Sequence, residues 1–367
     1  MSLFDPAFLA YAPSLFAALA FVFGLLIGSF LNVVIFRLPI MMEREFHHAC
    51  RMEYADEFKA MPQGPEADRA ETRSSSGVAG QAAGSTQGQA EGDGGSAAPT
   101  TGQPKGAGHG ASQSEGQNEP QPASQSERHG ERQSGMHYEP EPPFNLWRPR
   151  SACPQCSRAI RWYENIPLIS YALLAGRCRG CRARIPLRYP LVELVAGLLA
   201  AWLALTFGPT PAFLGMLIFS WALLALTAID LDHQLLPDSI TLPVLWLGLL
   251  FNLNGTFTDL HSAVLGAVFG YLSLFTVYWL FKLTTGKEGM GFGDFKLLAM
   301  IGAWGGWPVL LPTVLLSSLV GAVVGITLIA SGRMNREKPI PFGPYLATAG
   351  LLALVWGDAL TGLWLGG

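Results

Sequence analysis

The sequence predicts an all-α polytopic membrane protein with about eight transmembrane helices, a small zinc-ribbon-like module and a disordered insertion. Half of the 367 residues are hydrophobic, and only 14% are charged. The charged residues are concentrated in a few segments, so long uncharged stretches remain between them. Two Cys-x-x-Cys pairs stand in one of the charged segments. No pattern of a closed barrel is visible, so helices are the means of satisfying the backbone in lipid.

The candidate spans follow from the uncharged stretches. Residues 12–36 exceed the roughly 20 apolar residues that cross a bilayer as one helix. The stretches 194–229 and 297–332 are each interrupted by a glycine- and proline-containing turn, so each predicts two helices. Three further spans are predicted at 240–253, 263–281 and 341–357.

The first span could instead be a cleaved signal peptide. Its head contains Asp5 and no Lys or Arg, and its apolar run is longer than the h-region of about 7–15 residues in such peptides. These features favour a retained helix.

The distribution of positive charge predicts the orientation. Nine arginines lie between Arg148 and Arg188, and shorter basic loops lie at 282–287 and 333–338. With eight spans all three loops are on one side, which the positive-inside rule assigns to the cytoplasm. We therefore expect a multi-pass protein of the bacterial inner membrane with a periplasmic N-terminus.

Four domains are expected along the chain. Residues 1–39 form the first transmembrane helix, which Pro39 is expected to stop. Residues 40–144 form a cytoplasmic insertion, largely disordered because 62–143 has almost no large apolar side chains. A regulatory or docking role and a neutral expansion are both open for it. Residues 145–188 form the cytoplasmic cysteine module, and residues 189–367 form the transmembrane core.

Two Cys-x-x-Cys pairs predict a metal site. With 21 residues between the pairs, two turns can present four thiolates to one tetrahedral ion; the ligands are Cys153, Cys156, Cys178 and Cys181. Disulfides and an iron–sulfur cluster are the alternatives, and the cytoplasmic placement argues against disulfides. A structural zinc ion is favoured, and Cys50 is left as a free thiol. The arginines suggest contact with anionic lipid headgroups rather than nucleic acid, because few aromatic residues are available for stacking.

Acidic residues follow two of the apolar stretches. Asp230 ends one of them, and Asp232 and Asp238 follow within eight positions. Asp232 would lie about 200° around the helix from Asp230 and face elsewhere. Asp238 follows Pro237, as a cap or first-turn residue of the next helix would.

Asp294 follows a glycine-rich run, 289–293, and precedes another apolar stretch. Gly289, Gly291 and Gly293 allow positive φ angles and the close approach of another chain. Carboxyls at membrane depth are costly, so two that face each other indicate a function. Asp230 and Asp294 could share a proton and activate water for hydrolysis.

These motifs resemble those of the type IV prepilin peptidases, which belong to the GxGD membrane aspartyl proteases. The resemblance covers nearly the whole chain except the insertion. It is carried by 28–34 with Arg37-Leu38-Pro39, the two cysteine pairs, 188–193, 230–238, and 289–294 with Lys296.

The resemblance implies that Asp230 and Asp294 are the catalytic pair, with the loop glycines and Lys296 at the active site. It implies removal of the basic leader from prepilins of type IV pili and pseudopilins of type II secretion. It further implies N-methylation of the new N-terminus with S-adenosylmethionine, because the cysteine module is typical of the bifunctional type. The secretion or pilus machinery would be a partner.

Two other classes remain as alternatives. A proton-coupled transporter could also use Asp230 and Asp294, although no internal repeat is visible. A membrane-anchored zinc module that only binds a partner would need neither carboxylate.

Overall fold

The structure, a computed structural model, describes residues 12–60, 144–287, 289–332 and 340–365. The low-complexity stretch 62–143 and the basic loop 333–338 both lie outside the described residues. Within the described ranges the chain is helical, and its only β-type pairings are two isolated bridges in the cysteine module.

The first helix, α1, extends from Pro13 to Ala60 and contains Pro39 in its interior. The prediction that Pro39 ends this helix is therefore wrong, and the domain boundary at 39/40 stays a prediction. Proline removes one backbone hydrogen bond at a cost of about 3 kcal/mol, which a long helix can absorb. The next residues, 40–60, are mostly Met, Glu, Arg, Ala and Phe, several of which have high helix propensity.

The remaining helices overlap the predicted spans, except a five-residue helix at Ile169–Leu173, which was not predicted. They are α2 Ile169–Leu173, α3 Arg188–Phe207, α4 Pro211–His233, α5 Asp238–Asn252, α6 Leu260–Thr285, α7 Phe292–Gly305, α8 Leu310–Ala330 and α9 Gly343–Leu365. The two breaks within long apolar stretches fall at Gly208 and Gly306, as predicted. Both glycines have positive φ angles, of 60° and 80°, which other residues adopt only at a cost.

Five helices are long and apolar enough to cross a membrane: α1, α3, α4, α6, and α8 with its preceding turn. Two shorter apolar helices, α5 and α9, and the 14-residue α7 occupy the other predicted spans. The helical membrane class is confirmed, and the number of eight spans stays a prediction.

Helix α7 is the centre of the described transmembrane core. It packs against α5, α6 and α9, and its residues from Asp294 to Trp304 are all buried except Lys296, which is partly exposed. Helices α6 and α7 contact each other through their backbones. A methyl group built on Gly302 would overlap the carbonyl of Gly266, and one built on Gly266 would overlap the carbonyl of Gly302. Small residues of this kind let membrane helices approach closely.

The C-terminal end of α7 is fixed by hydrogen bonds to buried side chains. Asn252 donates to the carbonyls of Ala303 and Trp304, at 3.0 and 2.9 Å. The Trp304 indole donates to the carbonyl of Val244, at 2.9 Å. These bonds satisfy the carbonyls at the C-terminal end of α7, which would otherwise be unpaired. They therefore fix the position of α7 along the axis of α5.

Candidate active site and cysteine module

Asp230 lies in the last turn of α4, three residues before the helix ends at His233. The carboxyl is buried, with the residue only 6% exposed. Its Oδ2 atom has no hydrogen-bond partner among the described residues. Buried polar atoms are rarely left in this state, so the atom is a candidate for an interaction with water or a ligand.

Asp294 lies in the first turn of α7 and is 7% exposed. The helix N-terminus offers unpaired backbone N–H groups and a partial positive charge, which favour a carboxylate there. The sequence therefore places one carboxyl at the end of a helix and the other at the start of a helix.

The fold brings Asp230 and Asp294 together although 64 positions separate them in the chain. The two carboxyls are close enough for their charges to interact. A third segment approaches them: a Cβ built on Gly343 would lie 2.6 Å from Oδ2 of Asp230. Gly343, the first residue of α9, was missed by sequence analysis, and its only signal was the Phe342-Gly343-Pro344 sequence at the start of an apolar stretch.

The glycines before Asp294 permit close packing rather than positive φ angles. None of the three has a positive φ angle, so that part of the prediction is wrong. A Cβ built on Gly293 would lie 2.8 Å from Cβ of Leu236, and one on Gly291 would lie 4.0 Å from Oδ2 of Asp294. Gly289 packs against Phe281 instead, away from the carboxyls. Leu236, which also lies near Gly343, is a second neighbour that the sequence did not single out.

The other acidic residues of the 230–238 segment pair with cations. Asp232 forms an ion pair with Arg188 at the start of α3, so it faces away from Asp230 as predicted. Asp238 is in the first turn of α5, also as predicted. Its carboxylate accepts from Nζ of Lys296, at 2.7 and 2.6 Å. Lys296 was expected at the active-site loop, and the structure instead places it within α7, two residues beyond Asp294.

The cysteine module consists of two turns with the same geometry. In each turn the carbonyl of the first cysteine accepts from the backbone N–H four residues later, at 2.9 Å: Ser157 to Cys153, and Arg182 to Cys178. Ser157 and Arg182 both have positive φ angles, of 54° and 58°. Isolated bridges close the two turns, between Ala152 and Ala159 and between Arg177 and Arg184.

The four sulfur atoms fit a tetrahedral zinc ion. All four Sγ atoms lie within 4.8 Å of one another, and none of the described cysteines is in a disulfide. The Sγ atoms of Cys153 and Cys181 are 3.8 Å apart. A tetrahedron with Zn–S bonds of about 2.3 Å has edges of about that length. Hydrogen bonds from the backbone of Cys156 and Gln155 lower the pKa of the Cys153 thiol to about 6, which favours the thiolate form that binds metal.

A carboxylate connects the two turns. Oε1 of Glu164 accepts from Arg158 at 2.8 Å and lies 3.8 Å from Nη1 of Arg179. The hydrogen bond from Arg158 lowers the pKa of Glu164. The pairing holds Arg158, beside the first cysteine pair, close to Arg179, within the second.

Polar side chains of α1 anchor the module to the membrane helices. The buried Arg37 donates to the carbonyls of Asn145, Leu146 and Pro149, at 2.9, 3.3 and 2.6 Å. Asn32 donates to the carbonyl of Tyr189 at 3.0 Å. These contacts give Asn32 and Arg37, within the motif at 28–39, a structural role.

The fold and the two sites thus define a polytopic helical membrane protein that combines a buried pair of carboxyls with a four-thiol module suited to zinc. Residues 22–207 match the family described as Bacterial Peptidase A24 N-terminal domain, and residues 217–326 match the type IV leader peptidase family. The chain belongs to the type IV leader peptidase family.

Three relatives are each named prepilin leader peptidase/N-methyltransferase. The protein of Stutzerimonas stutzeri is 45% identical over 358 residues, covering 98% of this chain and 96% of the relative. The protein of Aeromonas hydrophila is 45% identical, covering 95% and 93%. The protein of Pseudomonas aeruginosa is 44% identical, covering 96% and 95%. No solved structure gives a significant match.

Proposed function

We propose that this protein is a membrane aspartyl endopeptidase that removes the basic leader from type IV prepilins and type II secretion pseudopilins. The observation that carries the proposal is the pair Asp230 and Asp294: both are buried, one in the last turn of α4 and the other in the first turn of α7, and they are near enough for their charges to interact. Family membership supports the same activity and gives no support to a transporter.

The chemistry follows from two carboxyls that share one proton. The ionised carboxylate takes a proton from a water molecule, which attacks the scissile carbonyl carbon. The protonated carboxyl polarises the carbonyl oxygen. As the tetrahedral intermediate collapses, the carbon–nitrogen bond breaks, and this carboxyl supplies its proton to the leaving amine. Asp230 and Asp294 can each serve in either role.

The surroundings of the pair suit an extended peptide. Gly291 presents no side chain beside Asp294, and the space there is open, so a substrate backbone can approach that carboxyl closely. The unpartnered Oδ2 atom of Asp230 suits the attacking water. Cleavage would occur at the cytoplasmic face of the inner membrane, with the N-terminus periplasmic and the basic loops cytoplasmic.

The second activity is N-methylation of the new N-terminus, with S-adenosylmethionine as the methyl donor. The name shared by the relatives supports it. Zinc held by the four cysteines would have a structural role, because four thiolates leave no open coordination position. Membrane lipid and the pilus or secretion machinery are the other expected partners.

The test is an intact-mass measurement on a purified prepilin incubated with the reconstituted protein. We expect loss of the leader in the absence of S-adenosylmethionine, and an additional methyl group when it is present. The control is the Asp294→Asn variant, which should leave the prepilin uncut. An uncut prepilin with the wild-type protein would contradict the endopeptidase assignment.

A further inference from the structure

The segment 145–149 at the start of the cysteine module lies beside the interior of a membrane span. The Trp147 ring packs against that of Phe30 on α1, with 6.4 Å between the ring centroids. Phe30 is seven residues before Arg37, which follows the apolar stretch 12–36, so it lies about 10 Å inside that stretch at 1.5 Å per residue. Trp147 is nevertheless 79% exposed. Its exposed surface therefore faces whatever surrounds α1 at the depth of Phe30.

A second part of the module reaches the same depth. Asn165 donates to the Ser29 hydroxyl of α1 at 3.2 Å. The backbone N–H of Leu168 donates to the buried carboxyl of Glu193 at 3.0 Å, and Glu193 is five residues from the start of α3, about 7.5 Å into that span. Ser29 and Glu193 are at one level, because a Cβ built on Gly28 would lie 2.7 Å from Cα of Glu193. The module is thus held to two spans at a point inside their ends.

Helix α2 begins directly after Leu168 and carries apolar side chains at this depth. Ile169 and Leu173 are four residues apart, so they lie on the same side of the helix. They are 58% and 82% exposed. Apolar side chains are stabilised when they leave water, so contact with lipid is favourable for both. We call Trp147, Ile169 and Leu173 the insertion residues.

The backbone of 145–149 is extensively hydrogen-bonded although it forms neither helix nor strand. Arg37 donates to three of its carbonyls. Oδ1 of Asn145 accepts from the N–H groups of Trp147 and Arg148, at 2.9 and 2.7 Å, and the N–H of Asn145 donates to the carbonyl of Arg148 at 2.8 Å. Irregular backbone at membrane depth needs such partners, because lipid tails offer none. The bonding of this segment therefore suits a position within the membrane surface.

We propose that the cysteine module is inserted into the adjacent lipid leaflet through Trp147, Ile169 and Leu173, at the boundary between headgroups and acyl chains. Tryptophan prefers this boundary. Arg148 and Arg150, which follow Trp147, are both exposed and can extend to anionic headgroups. The leaflet is the cytoplasmic one by the distribution of positive charge. This seating requires neither cleavage nor methylation, so it is independent of the proposed function.

The first test uses the unsubstituted protein in nanodiscs of phosphatidylethanolamine and phosphatidylglycerol. Hydroxyl-radical footprinting with mass spectrometry compares Trp147 with Phe46, which is 67% exposed and lies nine residues beyond Arg37 on α1. Phe46 is about 13 Å beyond Arg37 and should be oxidised readily. Trp147 should be oxidised severalfold more slowly, because lipid excludes water from it, although tryptophan is the more reactive side chain. Oxidation of Trp147 as fast as that of Phe46 would overturn the insertion.

The second test identifies lipid as the partner of the insertion residues. A photo-crosslinking amino acid replaces Trp147, Leu173 or Gln155 in the same nanodiscs, and lipid adducts are quantified by intact mass. Gln155 is the control, because it is an exposed polar residue in the first Cys-x-x-Cys turn. Leu173 is the most exposed insertion residue, so its replacement disturbs little packing. Adducts from 147 and 173 should exceed those from 155 severalfold, and yields no higher than at 155 would refute the insertion.

Discussion

Lys296 and Asp238 form a two-pronged ion pair, with Nζ at 2.7 and 2.6 Å from the two carboxylate oxygens. The pair joins the first turn of α5 to α7, two residues beyond Asp294. Arg188 and Asp232 make the equivalent connection for the other carboxyl, two residues beyond Asp230. Each member of the carboxyl pair thus has an ion pair next to it that fixes the end of its helix.

We predict that the Lys296–Asp238 pair matters for the position of Asp294 more than for stability. Lys296→Asp should lower kcat for prepilin cleavage about tenfold, because Asp294 would be displaced. It should lower the free energy of unfolding only slightly, because a partly exposed ion pair contributes about 0.2–1 kcal/mol to stability. The double variant Lys296→Asp/Asp238→Lys should recover much of the activity, as measured by initial cleavage rates. If the double variant is no more active than Lys296→Asp, the pair is not a positioning contact.

Asp230→Asn and Asp294→Asn should each abolish cleavage, because an amide can neither take a proton from water nor share one with its neighbour. The matched control is Asp232→Asn, which alters an acid two residues away that pairs with Arg188. It should retain measurable activity with similar membrane accumulation. Full processing by either of the first two variants, measured by gel shift of the prepilin, would disprove the catalytic assignment.

Gly343→Ala should inactivate the protein or greatly reduce its kcat. The added Cβ would lie 2.6 Å from Oδ2 of Asp230, so the carboxyl or the start of α9 must move. Displacements of about 1 Å at an active site can cost roughly a hundredfold in rate. Gly357→Ala serves as the control in the same helix, since its Cβ would make an ordinary contact of 3.9 Å with Val309. Normal cleavage rates in Gly343→Ala would show that this glycine does not shape the site.

Gly302→Ala should destabilise the transmembrane core by about 1–3 kcal/mol, the usual cost of adding a methyl group where there is no space. The methyl would overlap the carbonyl of Gly266, and backbone atoms cannot turn aside as a flexible side chain can. Unfolding in mixed detergent micelles measures the effect. Gly321→Ala is the comparison, because its Cβ would lie 3.5 Å from the Tyr345 ring. Equal stability of the two variants would mean that α6 and α7 separate more readily than the structure indicates.

The purified protein should carry about one zinc ion per chain. Cys153→Ser should lower the zinc content, measured by elemental analysis, because three thiolates form an incomplete tetrahedral site. Cys50→Ser is the matched control: this free cysteine on α1 is not one of the four clustered thiols. Unchanged zinc in Cys153→Ser would exclude the four-cysteine site.

The sequence was sufficient for those features that depend on local chemistry. Four cysteines at Cys-x-x-Cys spacing indicate a metal site wherever the chain places them, and the structure brings all four sulfurs together. Gly208 and Gly306 marked helix breaks because positive φ angles favour glycine. Pro39 was wrongly predicted to end α1. A proline weakens a helix only locally, and the residues around it decide whether the helix continues.

By itself, the sequence determined that the chain is a helical membrane protein, that Asp230 and Asp294 are out of place in apolar surroundings, and that the four cysteines form a set. These properties follow from hydropathy, charge and spacing, which are all local. Only the tertiary structure decided that Gly343 approaches Asp230 and that Lys296 pairs with Asp238. Such contacts depend on how helices distant in the chain pack against one another, and hydrophobic packing leaves no periodic signal that identifies the partner.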